Sequence, residues 1–427
     1  MEALKNLFGG SLRQFGMLFV LIALAIGFNW GTGGLVITPT NLMNLLNGNS
    51  YILVLAIGMV MVIIVGHIDL AVGSVAAFVG IVVAIAIRDW SIPWWAAIIL
   101  GLALGLVCGA VQGVFVAYVG IPGFIVTLAG YMFFRGANQF VGKSLTVPVP
   151  KDFQYIGAGY LPEWGPNTGM NNSTLLLGVL ALAFLVWMQL RQRAALVKIK
   201  AEVPPMWVTV TRIVAMAVVA GYLTWMFGTG RPGSSFPVPG LILVALVILY
   251  SFITGRTVTG RHIYAVGGNR LAAELSGVNT KKVYFLVMAN MSVLAAVAGM
   301  MFVARSTASG PFDGVGWELD AIAAVFIGGA AVTGGVGTVI GSMVGGLVMA
   351  VLNNGLQLLS AGSDTTQMIK GMVLLAAVAL DVWQKSQGKP SISGLIFRNK
   401  SVKELTPTET QLVEDAEAVA ANKGNLR

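Results

Sequence analysis

The sequence has 427 residues, of which 56% are hydrophobic and only 10% are charged, and its formal net charge is +9. A soluble domain carries about 25% charged residues, so this composition excludes an ordinary water-soluble fold. The basic excess would indicate nucleic acid in a soluble protein, but in a membrane protein it reports which loops are cytoplasmic.

Apolar blocks long enough to cross a bilayer, which takes about 20 helical residues, recur along the chain. They lack the alternating polarity of barrel strands, so the spans are helices. We predict an all-α, polytopic transmembrane helix bundle of about 10–12 spans with no soluble domain. The spans lie near residues 15–30, 51–66, 70–87, 94–119, 121–136, 174–190, 212–228, 240–254, 283–304, 320–333, 338–357 and 367–384.

Two of these spans leave alternatives open. Lys5 and Arg13 before the first apolar run resemble a signal peptide, but no small-residue cleavage site follows, so we predict a retained helix. The block 320–333 is short and rich in glycine, so it is either a full crossing or a broken, re-entrant half-helix.

The single cysteine, Cys108, lies inside an apolar block and is predicted to serve packing only.

The basic residues indicate that both termini are cytoplasmic. With the amino terminus inside, the inside segments hold 19 lysines and arginines and the outside loops hold five. These inside segments are residues 1–14, 191–212, 255–282 and 385–427. We therefore predict a transmembrane domain over 1–384, a cytoplasmic loop over 255–282, and a disordered polar tail over 385–427.

That cytoplasmic loop contains a short helix signal. Leu271 to Ser276 are good helix formers, Asn269 is a suitable N-cap, and Gly277 is a suitable residue to end the helix. The residues themselves leave two interpretations open: a rigid knob presented to the cytoplasm, or an amphipathic helix resting on lipid.

The loop sequence favours the first interpretation through a resemblance. Ala272-Ala273 followed by Gly277 resembles the cytoplasmic coupling-helix signature of the permeases of ATP-binding-cassette (ABC) importers, although Leu271 stands where that signature has an acid. The resemblance implies that the residues coupling to the ATPase are Asn269, Ala272, Ala273, Glu274 and Gly277.

Four other blocks extend the resemblance over roughly residues 40–385 to the branch that imports ribose, arabinose and xylose. They are Gly66–Ser74, Pro122–Gly130 with Arg135-Gly136, Glu318–Ala324 with Gly328-Gly329 and Gly334–Gly337, and Asn354-Gly355. The extra apolar pair near 174–228 is most similar to the xylose and multiple-monosaccharide permeases. His67 and Ala71 depart from the pattern of that branch.

The resemblance implies a permease subunit that passes a monosaccharide across the bacterial inner membrane. Its partners would be a separate ABC ATPase subunit, usually with two fused nucleotide-binding modules, a periplasmic sugar-binding protein and a second copy of the chain. We expect no catalytic residue, metal or cofactor, so the chain is not an enzyme. The alternative is a self-contained, ion-coupled secondary sugar transporter, which would need several acids inside its spans.

Seven residues are candidates for the translocation path or its gate: Asp69, Phe124, Thr127, Asp320, Gly328, Gly329 and Asn354. Asp69 is either a polar group near the path or the N-cap of a helix starting at about Leu70. Asp320 can likewise cap a short helix, which the glycine pairs after it would break, either to line a pore or merely to pack tightly.

One motif is predicted to be a chance match. Ala137 to Ser144 fits the loose form of a phosphate-binding loop. That loop functions only after a buried strand and at a helix start, whereas this one follows a span on the outside.

Overall fold

The computed structural model describes residues 12–166, 169–198, 203, 205–230 and 235–386. The chain divides into two units, Met1–Trp383 and Gln384–Arg427, and the architecture below belongs to the first. The predicted disordered tail, 385–427, lies almost entirely outside the described residues and stays a prediction.

The described residues form an all-α protein with one short strand pair, which confirms the predicted fold class. The helices are α1 (Leu12–Gly31), α2 (Pro39–Ile64), α3 (Val72–Arg88), α4 (Trp94–Val114, continued by a π-helical turn, Phe115–Val119), α5 (Gly123–Val141), α6 (Lys151–Ala158), α7 (Asn172–Lys198), α8 (Met206–Gly228), α9 (Val238–Arg256), α10 (Val258–Gly268), α11 (Arg270–Leu275), α12 (Thr280–Ser306), α13 (Trp317–Ile327), α14 (Val339–Leu358) and α15 (Ser363–Ser386). The strands are β1 (Val147–Pro148) and β2 (Ala308–Ser309), which pair antiparallel.

Local sequence signals set several helix starts. Thr38 caps α2 by accepting the Asn41 N–H, and Pro39 occupies the first turn, where its missing N–H costs nothing. Thr338 caps α14 in the same way through the Gly341 N–H at 2.9 Å. By length and composition, seven helices in the described part of the chain can cross a membrane: α2, α4 with its π-helical turn, α7, α8, α9, α12 and α14.

Contacts between distant segments group the helix ends into two faces. On the α11 face, Gly335 N–H donates to Ile64 O at 2.8 Å, beside Gly267. On the β face, β1 pairs with β2, and Val149 N–H donates to Thr307 O at 3.0 Å. Two shorter apolar helices, Gly16–Gly31 within α1 and Val72–Arg88 (α3), add to the seven among the described residues, and the count of about 10–12 spans stays a prediction.

The block predicted as the tenth span, 320–333, contains only a half-helix, α13. It has 11 residues, which is about 16 Å of helix and too short to cross a bilayer. Gly328 caps its end, and a Cβ at Gly328 would lie 2.5 Å from the carbonyl oxygen of Gly341 in α14. The remaining distance to the α11 face is covered by the non-helical segment 328–338, here called the broken segment. The block 320–333 is therefore not one continuous helix, which favours the broken half-helix among the two alternatives for it.

The centre of the bundle is built around α12, which packs along α4 on glycines. Gly101, Gly105 and Gly109 recur every four residues on one side of α4, and all three lie against α12. A Cβ at Gly105 would lie 2.6 Å from the Cβ of Ala296. Without a large hydrophobic driving force between membrane helices, such close backbone approach supplies the packing energy.

The extra pair of spans, α7 and α8, lies at the edge of the bundle. Within the hydrophobic windows of these helices, only 6% of α7 and 11% of α8 is buried inside the protein, against 83% for α2. They pack on each other, and Asn171 N–H donates to Gly228 O at 3.1 Å where they meet. Nearly all of their apolar surface therefore remains available to lipid.

Candidate functional site

The helix α11 is a short element that both ends hold rigidly. Asn269 caps it by accepting the N–H of its third residue at 3.0 Å, as the sequence predicts. At the other end, Val278 N–H donates to Ala273 O at 3.0 Å and Gly277 N–H donates to Glu274 O at 2.9 Å. These two bonds define a Schellman motif, and Gly277 has the required positive φ of 83°.

The outer side of α11 carries an apolar pair. Leu271 is 66% exposed and Leu275 is 82% exposed, and their spacing of four residues puts them on the same side of the helix. Leu271 occupies the position where the coupling signature has an acid. A rigid turn that presents two leucines to solvent is a suitable contact surface for a partner groove.

The two alanines of the signature differ in what they contact. Ala272 is exposed, as expected for a residue that meets a partner, but Ala273 is only 5% exposed. Ala273 therefore packs against the bundle, while the coupling role that the resemblance implies for these residues stays a prediction. A short helix lying on a bundle turns part of its circumference inward, and Ala273 occupies that inward position.

Polar contacts fix α11 to the start of α12. The Thr280 hydroxyl donates to Glu274 Oε1 at 2.6 Å, and Arg270 Nε donates to the same oxygen at 3.1 Å. The Thr280 hydrogen bond, followed by that of Arg270, lowers the pKa of Glu274 below its usual value. The carboxylate therefore stays ionised at neutral pH and keeps both bonds.

The broken segment packs against α10, the helix that precedes α11. Gly329, Gly334 and Gly335 all have positive φ, with values of 89°, 80° and 74°. These glycines follow the end of α13, in agreement with the prediction that the glycine pairs break the helix, because side chains with a Cβ are strained at positive φ. The Tyr264 hydroxyl in α10 donates to Gly337 O at 2.7 Å, so the broken segment is attached to the element that carries α11.

Asp320 does not cap α13, contrary to the sequence-based hypothesis. The N-cap is Gly316, and Asp320 is the fourth residue of the helix. Its carboxylate instead accepts a bond from Lys370 Nζ in α15 at 2.9 Å, with both side chains largely buried. The ion pair with Lys370 compensates the charge of an acid inside a span, and Gly316 already occupies the N-cap position of α13.

Asp69 is also not the N-cap of α3. That helix begins at Val72, and its N-cap, Ala71, makes no side-chain capping bond. Asp69 is 1% exposed, and its Oδ1 accepts the Ala71 N–H at 2.8 Å. Its Oδ2 is buried with no hydrogen-bond partner among the described residues. This leaves Asp69 as a polar group in the α2–α3 connection, residues 65–71.

The other path candidates fall into two places. Thr127 is fully buried on α5, and its hydroxyl donates to Ile68 O at 3.1 Å, which joins it to the α2–α3 connection. Phe124 lies one turn before Thr127 and is 53% exposed. Asn354 lies elsewhere. Its side-chain amide forms two hydrogen bonds with the side-chain amide of Asn41, at 2.8 and 3.0 Å. The seven candidates therefore do not form one site.

Two charged residues on the membrane helices, Arg135 and Glu318, were not among the residues predicted for the translocation path. Arg135 on α5 is half-buried, its guanidinium lies 5.6 Å from the centre of the Tyr131 ring, and its Nη2 has no partner among the described residues. Glu318 on α13 is 7% exposed and lies against Gly73 of α3. The Arg-Gly dipeptide at 135–136 was the available signal, since an arginine inside a membrane span is costly and rarely faces lipid.

The structure also places the phosphate-loop match. Its first five residues, 137–141, belong to α5, and the described residues after it lead to β1 rather than to a helix start. Neither the preceding strand nor the following helix of a phosphate-binding loop is present at this position. Among the described residues, no group of three or more metal-binding side chains is found.

Comparison with known proteins identifies relatives over most of the chain. Residues 41–378 match the family described as the permease component of branched-chain amino acid transport systems. The xylose transport system permease protein XylH of Haemophilus influenzae is 38% identical over 88% of this chain and 98% of its own length. The protein of the same name in Escherichia coli K12 is 37% identical over 89% of this chain and 93% of its own length.

A second group of relatives is more distant. The ribose import permease protein RbsC of Escherichia coli K12 is 32% identical over 81% of this chain and 86% of its own length. No solved structure matches the chain.

Proposed function

Since the chain belongs to the family of permease components of branched-chain amino acid transport systems, we propose that it is the membrane-spanning subunit of an ATP-driven monosaccharide importer. The relatives named for xylose match nearly the whole chain at 37–38% identity, and those named for ribose match less of it at 32%. These matches favour a pentose, and xylose first, as the cargo.

The observation that carries the proposal is α11. It is capped at both ends, fixed to α12 through Glu274 and Thr280, and exposes Leu271 and Leu275. The caps at both ends hold α11 as a rigid turn that projects from the bundle, which suits docking into a protein groove. We propose that an ATPase subunit with two fused nucleotide-binding modules docks here, with α11 as the coupling helix.

The proposed orientation has the α11 face on the cytoplasmic side of the membrane. The basic residues of the loops put 255–282 in the cytoplasm, where ATP is available, and the β face outside. Both termini are then cytoplasmic. A periplasmic sugar-binding protein would deliver the cargo to the β face.

We propose a homodimer whose contact and sugar path involve α5. One side of α5 is buried, while the other exposes Phe124, Met132 and Phe133 at 53%, 70% and 68%. Arg135 lies at the edge of this side, and one of its guanidinium nitrogens has no partner within the described ranges, which is costly against lipid. A second copy would cover the apolar side chains and leave the polar edge for water and sugar.

ATP binding drives transport by favouring one access state of the bundle. A partner can shift this equilibrium only by binding the two states with different affinity. Coupling energies between sites are typically about 1–3 kcal/mol, which is within reach of one docked helix.

The test replaces the apolar pair on α11. The variant with Leu271→Arg and Leu275→Arg should lose the ATPase subunit on purification and lose most xylose uptake, at unchanged amounts in the membrane. A matched control, Leu145→Arg, changes a leucine that is 64% exposed near the β face, and it should keep the ATPase subunit bound. Full partner recovery and full uptake in the α11 variant would rule out α11 as the coupling helix.

Ion coupling stays the second candidate, because a buried carboxylate oxygen of Asp69 has no hydrogen-bond partner in the described part of the chain. Secondary transporters use such acids as ion or proton sites. Uptake that collapses with a protonophore while cellular ATP is held constant would favour that candidate over an ATP-driven importer.

A further inference from the structure

A stack of side chains leads from α11 into the bundle. Arg270, the first residue of α11, holds its guanidinium 5.5 Å from the ring centre of Tyr284 in α12. The Tyr284 ring in turn packs edge-to-face on the His67 ring, with ring centres 4.7 Å apart and planes at 66°. His67 belongs to the α2–α3 connection, so the stack joins three separate elements.

His67 also touches the beginning of α5. A Cβ at Gly123, the first residue of α5, would lie 2.9 Å from His67 Nδ1, so no space separates the ring from the helix start. One turn further along, the Thr127 hydroxyl donates to Ile68 O at 3.1 Å. The α2–α3 connection and the start of α5 are therefore held to each other on two sides.

A second, backbone attachment holds the base of α11 independently of these rings. Gly335 N–H donates to Ile64 O at 2.8 Å, and a Cβ at Gly267 would lie 1.8 Å from that same oxygen. Changing Tyr284 or His67 leaves this glycine junction in place. The rings can therefore be altered without detaching α11 from the bundle.

We propose that Tyr284 and His67 are positioning residues that convey movement of α11 to the α2–α3 connection and to α5. The proposal rests on the proposed function, because the movement would come from the docked ATPase. Close-packed side chains transmit a displacement only while they remain in contact, since a small gap forfeits much of the contact energy. The buried acid of the connection, Asp69, and the exposed side of α5 are the regions that would respond.

The experiment measures xylose transported per ATP hydrolysed in proteoliposomes, together with the ATPase subunit recovered with the full chain. Tyr284→Leu and His67→Ala should each recover the ATPase subunit at the normal amount. Each should lower the sugar-to-ATP ratio by about fivefold or more, the lower end of common coupling factors. His67→Phe keeps a ring against Tyr284 and should restore the ratio to within about twofold, as expected for packing rather than for titration.

The control is an aromatic pair away from the stack. Phe227 packs edge-to-face on Phe236 at 5.0 Å near the β face, and Phe227→Ala should leave the ratio unchanged. If Tyr284→Leu does not reach the membrane, the comparison of His67→Ala with His67→Phe tests the proposal by itself.

Three results would overturn the proposal, and one of them also overturns the function. A normal sugar-to-ATP ratio in His67→Ala would show that the ring conveys nothing. Loss of the ATPase subunit in step with uptake would make these residues part of docking instead. If the unaltered chain binds no ATPase subunit, the proposed function itself fails.

Discussion

At the scale of single residues, Gly277 lets the chain turn from α11 into α12. Its φ is 83°, where a left-handed conformation costs other residues about 1–2 kcal/mol. We expect Gly277→Val to misplace the end of α11 and to lower uptake by about tenfold, a factor equal to about 1.4 kcal/mol. Uptake and membrane content are measured in the same cells.

The control for Gly277→Val is Gly255→Val. Both glycines have open space around an added Cβ, but Gly255 lies inside α9 and has no positive φ. Its valine variant should transport normally. Equal transport by the two variants would show that the left-handed turn does not matter for function.

A second prediction at the scale of residues concerns the largely buried ion pair between Asp320 and Lys370. Breaking a buried pair by removing one charge costs about 3–5 kcal/mol, because the other charge is left uncompensated. We expect Asp320→Asn and Lys370→Met each to lower the thermal stability of the purified protein in detergent. The double variant should be more stable than either single one, and additive losses would contradict a direct pair.

Local signals were readable in the sequence, but long-range partners were not. The Asn269 cap and the glycine turn at 277 need only neighbouring residues, so the sequence predicts both. The partner of Asp320 lies 50 residues away in another helix, so the sequence alone suggested a local cap instead. For Asp69 only one of the two alternatives, the helix cap, is wrong, since burial in the bundle, rather than capping, determines its surroundings.

At the scale of elements, hydropathy located the spans but misplaced some of their ends. The second span was predicted over 51–66, whereas α2 begins at Pro39. Its first turns carry the asparagines Asn41 and Asn47, which look like a polar loop in the sequence. Both are buried against partners in distant segments, Asn41 with Asn354 and Asn47 with Tyr160.

A prediction at the scale of elements concerns the turn that follows α5. Lys143 of the phosphate-loop match has a φ of 50° in the turn after α5, with no helix start beside it. We expect Lys143→Ala to leave ATP-driven uptake within about twofold of normal. A loss beyond about tenfold at normal expression would give the motif a function.

At the scale of the whole molecule, the charge bias predicts the orientation, and the two faces identify positions that report it. Cys108 is the only cysteine, so a Cys108→Ala background carries none. In that background we compare Leu275→Cys on α11, 82% exposed, with Phe312→Cys after β2, 74% exposed. A membrane-impermeant maleimide added to spheroplasts should label Phe312→Cys alone, and the reverse pattern would invert the orientation.

The central claim is that ATP hydrolysis by a docked partner drives a monosaccharide through this chain. The most direct measurement is xylose accumulation by right-side-out membrane vesicles that contain the full transporter and are loaded with ATP or with a non-hydrolysable analogue. We expect accumulation only with ATP, unaffected by a protonophore, and abolished by the Leu271→Arg and Leu275→Arg double variant. Accumulation without hydrolysable ATP that collapses with the protonophore and survives the double variant would contradict the claim.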